Sequence, residues 1–224
     1  MGQIWKNLNY LQTMIKKLIQ IIFSSILVFN LQIKVSANDL TDFEIEGFSI
    51  NQNLNDFFDE SAIKEELNSN FAVFYKNDKF VDITVGQTPD YPLRKNLNIY
   101  EHATITIKPK DKTYKIYSVG GTIICKTKNE CKKTQKEIVT DLINYFGSDV
   151  DLNKWEEKYQ GDKTGKSMVY GNEFIFSQTN DSINVNFYSL DKDFADIENY
   201  YDQYVIVSVS DYEFDQFLRE EAYK

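Results

Sequence analysis

The chain has 224 residues, 42% of them hydrophobic, with 25 basic and 34 acidic side chains and a formal charge of −9. That is enough apolar chain to bury a core without a metal or many disulfides. The acidity, with no long basic run, excludes a protein that grips a phosphate backbone, because such binding needs a basic face that releases counterions.

The first predicted element is a leader. Lys16-Lys17 precedes an apolar run from Leu18 to Ile33, and Val35-Ser36-Ala37 follows with small residues where a signal peptidase reads. A positive n-region, an apolar h-region and a small-x-small exit make a secretory signal helix. Residues 1–37 are the predicted signal peptide, cleaved between Ala37 and Asn38, and Met14 is an alternative initiator. The run is short for a spanning helix, which needs about 20 apolar residues. A retained leader would make the protein membrane-anchored, the one way the sequence implies a membrane. With no cysteine at the exit, a lipoprotein anchor is not expected. Removing the leader's four lysines (Lys6, Lys16, Lys17, Lys34) leaves 21 basic residues against 34 acidic ones, a charge near −13 for the expected single domain 38–224. The expected compartment is the periplasm or envelope of a Gram-negative-type bacterium.

Phe43, Ile45 and Phe48 predict a short strand broken at Gly47, and Ser49 to Leu67 reads as helical. Phe71–Tyr75 and Phe80–Val85 predict a hairpin turning at Lys76-Asn77-Asp78-Lys79. Gly86 to Leu97, with Pro89 and Pro92, reads as a surface connection.

The central stretch runs from Asn98 to Phe146. Ile99, Thr104, Ile105, Thr106 and Ile107 predict one strand, and Tyr114 to Ile124 its return. Gly120-Gly121 inside the return strand predicts a bulge or a close backbone approach. Asn129 is a predicted N-cap for a helix whose Ile138, Val139, Leu142, Ile143 and Phe146 recur at helical spacing until Gly147, and which would cover one sheet face. Between strand and helix, Cys125 and Cys131 are close enough in sequence to close a small loop in an oxidising compartment. Their spacing fits neither a C-x-x-C redox motif nor a zinc site, so a structural disulfide is expected.

Leu152, Trp155 and Tyr159 predict one or two helical turns, and Gly161 to Gly165 a flexible loop. Ser167–Gln178 and Ser182–Leu190 predict a hairpin around Asn180-Asp181. Asp191 opens a short helix through Tyr200. Tyr204 to Val209 is apolar on nearly both faces and so predicts a central strand. Ser210-x-x-Glu213 reads as a capping box for a last helix carrying Phe214, Phe217 and Leu218. The whole is α+β, a largely antiparallel sheet built from hairpins and packed with several helices.

Asp42-Phe43-Glu44-Ile45-Glu46-Gly47-Phe48-Ser49-Ile50, then Leu54 and Asp56-Phe57-Phe58, resemble the opening of a group of small exported proteins from marine bacteria with AT-rich genomes. Tyr114–Gly121 with the charged turn and Lys/Glu helix after it is similar too. Asn51-Gln52-Asn53 departs from the Gly-Asp pair of that group. The resemblance implies an exported α+β protein and no catalytic residue.

His102, after Glu101, is the one histidine, and no G-x-S-x-G elbow accompanies it, so a strand-surface role is expected. Asp149-x-Asp151-x-Asn153 resembles the first half of a calcium loop, but Lys154 and Gln160 stand where glycine and a bidentate glutamate are needed. Helix capping accounts for the same acids. The adjacent carboxylates Asp59-Glu60, Glu65-Glu66, Glu156-Glu157 and Glu220-Glu221 read as solvated helix faces. No phosphate-cradling motif appears, and no cofactor or metal is called for. The sequence therefore predicts a non-enzymatic exported module that binds an unidentified protein or small molecule. An exported hydrolase using carboxylates, with or without a metal, is the alternative, and an envelope protein anchored by its leader is the third.

Overall fold

A computed structural model describes Leu40 and residues 43–148, 150–198 and 200–222. The leader, Met14 and the Ala37–Asn38 junction lie outside the described residues. Nine strands form one sheet: β1 (Val73–Phe74), β2 (Val81–Gly86), β3 (Leu93–Arg94), β4 (His102–Ile107), β5 (Ile116–Ile124), β6 (Val150–Lys158), β7 (Met168–Phe176), β8 (Ser182–Ser189) and β9 (Gln203–Ser210). Among the described residues four α-helices accompany them: α1 (Glu60–Leu67), α2 (Lys128–Phe146), α3 (Lys192–Glu198) and α4 (Tyr212–Phe217). The strand order is β1-β2-β4-β5-β9-β8-β7-β6. Every pairing is antiparallel except that of β3 with β2. The α+β class with a large antiparallel sheet is therefore observed. Among the described residues no helix is long and apolar enough to cross a membrane.

One sheet face is a continuous apolar layer. Val81, Ile83 and Val85 on β2, Ala103 and Ile105 on β4, Val205 on β9, and Ile183, Val185 and Phe187 on β8 are fully buried. Helix α2 lies on this face, where Phe146 meets Phe176 edge-on at 4.9 Å. Buried Gln135 pins the helix down, its Nε2 donating to the Tyr170 and Val185 carbonyls at 2.7 and 2.9 Å. Ile45, Phe48, Ile50 and Leu54 from the N-terminal stretch add to the core, and Phe43 reaches Phe146 at 6.3 Å.

Several elements differ from expectation. Residues 43–48 form a tight turn, not a strand. Ile45 and Phe48 exchange backbone hydrogen bonds, and Glu46 (φ 55°) and Gly47 (φ 81°) both take positive φ, as a type I′ turn requires. Of the helix expected over 49–67, only a 3-10 turn at Leu54–Asp56 and α1 form. Asn51, Gln52 and Leu54 instead hydrogen-bond backbone to backbone with Ile116 and Tyr114. Only Val73 and Phe74 of the expected strand 71–75 pair with β2, and Lys76–Asp78 is a 3-10 turn. The connection 86–97 holds β3. β4 starts at His102 rather than Ile99. Helix α2 starts before Asn129 because the Thr127 hydroxyl accepts from the Glu130 amide, while the Glu130 carboxylate accepts from that of Lys126. Asp211, not Ser210, caps α4, since Ser210 Oγ is engaged with Ser118 Oγ at 2.8 Å.

The largest correction is β6, expected as helix. Leu152 and Trp155 have helical spacing, but nine residues pair with β7 along its length, and tertiary pairing overrides the local pattern. Residues 159–167 are not a loose loop either. The Asp162 carboxylate accepts from the amides of Thr164, Lys166 and Ser167 and from the Ser167 hydroxyl, and hydrogen bonding from the Thr164 side chain first, then from Ser167 and the Thr164 amide, holds its pKa well below the ordinary aspartate range.

Glu46 organises the approach to β4. Burial works against its ionised form, but the amides of Asn98, Ile99 and Tyr100 donate to its carboxylate and lower its pKa. Replacing Glu46 with Ala removes these acceptors, and charge-assisted bonds are worth about 1.5–3 kcal/mol. Amide hydrogen exchange at Ile99 and Tyr100 should accelerate at least tenfold while exchange in α2 is unchanged. Equal protection in the variant would show that the segment is held by other contacts.

Candidate functional site

The second sheet face has a different composition. Strand alternation and register assign His102, Thr104 and Thr106 of β4 to it, beside Ser118, Gly120 and Thr122 of β5. Ile124 continues β5, and Ser210, Ser208, Ile206 and Tyr204 of β9 lie opposite. Ser182, Asn184, Asn186 and Tyr188 of β8 extend the face, and Glu173, Gly171 and Val169 of β7 follow. Across the four central strands β4, β5, β9 and β8, all fifteen of these outward positions lack Asp, Glu, Lys and Arg. The chain as a whole is 26% charged. Six of the fifteen, Thr106, Ser118, Gly120, Thr122, Ser182 and Ser210, are buried, and the other nine are half-buried.

Helix α4 covers only one end of it. Phe214 and Phe217 pack on Phe80 and Tyr117. Arg219 pairs with Glu173, and Asp215 bonds Ser182. At the opposite end, Tyr188 and Tyr204 stack with ring centres 4.7 Å apart, joined by Tyr159 and Phe194. Burial first, and then these neighbouring tyrosines, raise the Tyr204 phenol's pKa. Between the two ends lie two rows of side chains. One is Thr84, Thr104, Gly120, Ser208 and Asn184. The other is His102, Thr122, Ile206, Asn186 and Gly171.

Comparison with known proteins adds no relative. No family model, curated protein or solved structure matches this chain.

Glycines let aromatic rings lie down on this face. Trp155, directly opposite Gly171, rests on it so closely that an added Cβ would sit 2.0 Å from the indole. Tyr91 covers Gly86 in the same way at 2.1 Å, with the Phe71 ring tilted against it at 4.7 Å. At Gly121, on the apolar face, Tyr100 makes the close approach expected of the Gly120-Gly121 pair, and the strand irregularity falls at Thr106/Ile107 instead. Over Gly120 the nearest atoms, 3.5–3.8 Å from a Cβ placed there, all belong to β9.

His102 stands in the second row. Its burial lowers its pKa, against the opposing effect of Glu101. Asn186 Oδ1 is enclosed with no hydrogen-bond partner. Of the calcium-like residues, Asp149 lies outside the described residues, and Asp151 and Asn153 are strand residues of β6 rather than loop or cap. Glu156 and Glu157 therefore point to opposite sheet faces and form no carboxylate pair. In Glu65-Glu66, Glu66 is buried and accepts from the Thr84 amide. Among the described residues no group of three or more His, Cys, Asp or Glu side chains would hold a metal ion. Cys125 and Cys131 lie at disulfide distance, with Sγ–Sγ 2.08 Å, linking the end of β5 to the first turn of α2. The uncharged face is the feature sequence reasoning missed. Its signal was the run of Thr, Ser and Asn at alternate positions of β4, β8 and β9.

Proposed function

We propose that this is an exported protein of the bacterial envelope that acts by binding a partner across its uncharged sheet face, without a chemical step of its own. The observation that carries the reading is the lack of charge at fifteen positions of this face, nine of them half-buried, in a strongly acidic chain. Burying charges against a partner costs free energy unless they are paired, and neutral hydroxyls and amides avoid that cost. The signal-like leader and the Cys125–Cys131 proximity support an oxidising compartment outside the cytoplasm. The likeness of the Asp42–Phe58 stretch to exported proteins points the same way.

Two measurements test this. The intact non-reduced mass of the envelope protein should begin at Asn38 and be two hydrogens short, with both cysteines refusing alkylation. A full-length cytoplasmic product with alkylatable thiols would end the export reading, and a full-length membrane product would favour the anchored form. A photo-crosslinking residue placed at Ser208 should give a discrete adduct in living cells, while one at exposed Lys133 on α2 should give none. No adduct at Ser208 would remove the binding face.

A further inference from the structure

We infer that the occupant of this face is a neutral glycan chain lying across the strands, from Trp155 at one side to the Phe71–Tyr91 pair at the other. The inference rests on the binding reading above and names its ligand class.

Four ligand classes can be weighed against the floor. An extended peptide recognised by strand addition needs a free edge of N–H and C=O groups, and a sheet face presents side chains instead. A lipid tail would bury Thr104, Thr122, Asn186 and Ser208 against hydrocarbon, leaving their polar groups unpaired at a cost of about 1–3 kcal/mol each. Among the described residues no hydrogen bond engages these four side chains; Thr122 is only 5% exposed, and half-buried Thr104, Asn186 and Ser208 can meet a ligand that has polar groups of its own. A polyanion would meet no cation on the floor and a chain of net charge −9 around it. A neutral polyol fits all three constraints. Its hydroxyls both donate and accept, as hydroxyl and amide side chains require, and the enclosed, unpartnered Asn186 Oδ1 is one acceptor such a ligand would satisfy.

The aromatic rings supply the second half of the chemistry. Trp155 lies flat on Gly171, so the opposite face of the indole is turned away from the sheet. The C–H-rich face of a sugar ring packs on such a surface while its hydroxyls reach sideways. At the far end of the same row Tyr91 lies on Gly86, and Phe71 beside it is 38% exposed. Five strand spacings separate the two glycines, about 24 Å at ~4.8 Å each. That length calls for an oligosaccharide rather than a single sugar.

The full chain carrying Trp5→Phe has Trp155 as its single tryptophan, which makes the site report on itself. It should be titrated with the neutral hexasaccharides of cellulose, starch and chitin, and with a polygalacturonate hexamer as the anionic probe. A saturable change in Trp155 emission with at least one neutral hexamer is expected, with affinity reduced tenfold or more in both Asn186→Ala and Phe71→Ala. Phe71 and Asn186 are not core residues, and a circular dichroism spectrum like that of the parent would confirm folding. No response to any neutral hexamer, a response to the anionic probe alone, or full affinity in both variants would overturn the glycan assignment. A Ser208 crosslink in cells combined with any of these results would leave the binding face standing and reject only the ligand class. Loss of the crosslink would reject both.

Discussion

Phe80→Ala should cost about 3–5 kcal/mol of folding stability, the usual range for deleting a buried aromatic side chain. Phe80 is fully buried, and its ring centre lies 5.2 Å from Tyr117, 5.1 Å from Phe214 and 5.0 Å from Phe217. Those contacts are what hold α4 to the sheet. A helix of six residues has no stability of its own in water, so its persistence depends on this packing. Truncation therefore leaves a cavity and loosens the helix that covers one end of the uncharged face. Urea unfolding should show a lower midpoint, and hydrogen exchange in 212–217 should rise before the global transition. Tyr212→Ala is the control. Tyr212 is 47% exposed on the same helix, and its loss should change stability by about 0.5 kcal/mol or less. A cost below about 1 kcal/mol for Phe80→Ala would mean that the aromatic cluster does not anchor α4.

The parts of this fold that were legible in the sequence share one property: their partners are adjacent in the chain. β4 with β5 and β7 with β8 are hairpins whose alternation and turn residues stand side by side. Helix α2 announces itself by its apolar stripe and Gly147. β9 was readable as central because it is apolar on nearly both sides, and it does sit between β5 and β8. The misreadings arise where a distant partner decides. β6 is a strand because β7 is available, and Glu46-Gly47 is a turn whose carboxylate finds amides at 98–100. The candidate site was illegible for the same reason. His102 stands alone in the sequence, while its row neighbours Thr122, Ile206 and Asn186 come from three strands whose adjacency requires the β5–β9 pairing. Each strand shows an ordinary polar side. Only the assembled register shows that four such sides are uncharged together.

Asp215→Asn should stabilise the protein at pH 8 and leave it nearly unchanged at pH 4. Asp215, a residue of α4, is 7% exposed, and its pKa is raised to about 7. Burial is the main cause, with Glu173 and Asp211 adding repulsion, against the lowering effects of the Ser182 bond and Arg219. The folded state thus holds a proton that the unfolded chain releases near pH 3.8. Between those two values the folded state binds more protons, so stability falls as pH rises. Below the window both states are protonated and the full contribution is present. Above it both are ionised, and the cost of a buried carboxylate is felt in full. A shift of this size corresponds to at most about 4 kcal/mol, at 1.36 kcal/mol per unit. Asn is neutral throughout and can keep a bond to Ser182, so the difference between variant and parent should grow from near zero at pH 4 to about 2–4 kcal/mol at pH 8. Taking that difference removes the other titrating groups, including Asp211, whose pKa burial also raises. A difference that is flat with pH would place Asp215 in solvent contact. A difference that shrinks as pH rises would mean that Arg219 outweighs burial and that the carboxylate is native as the anion.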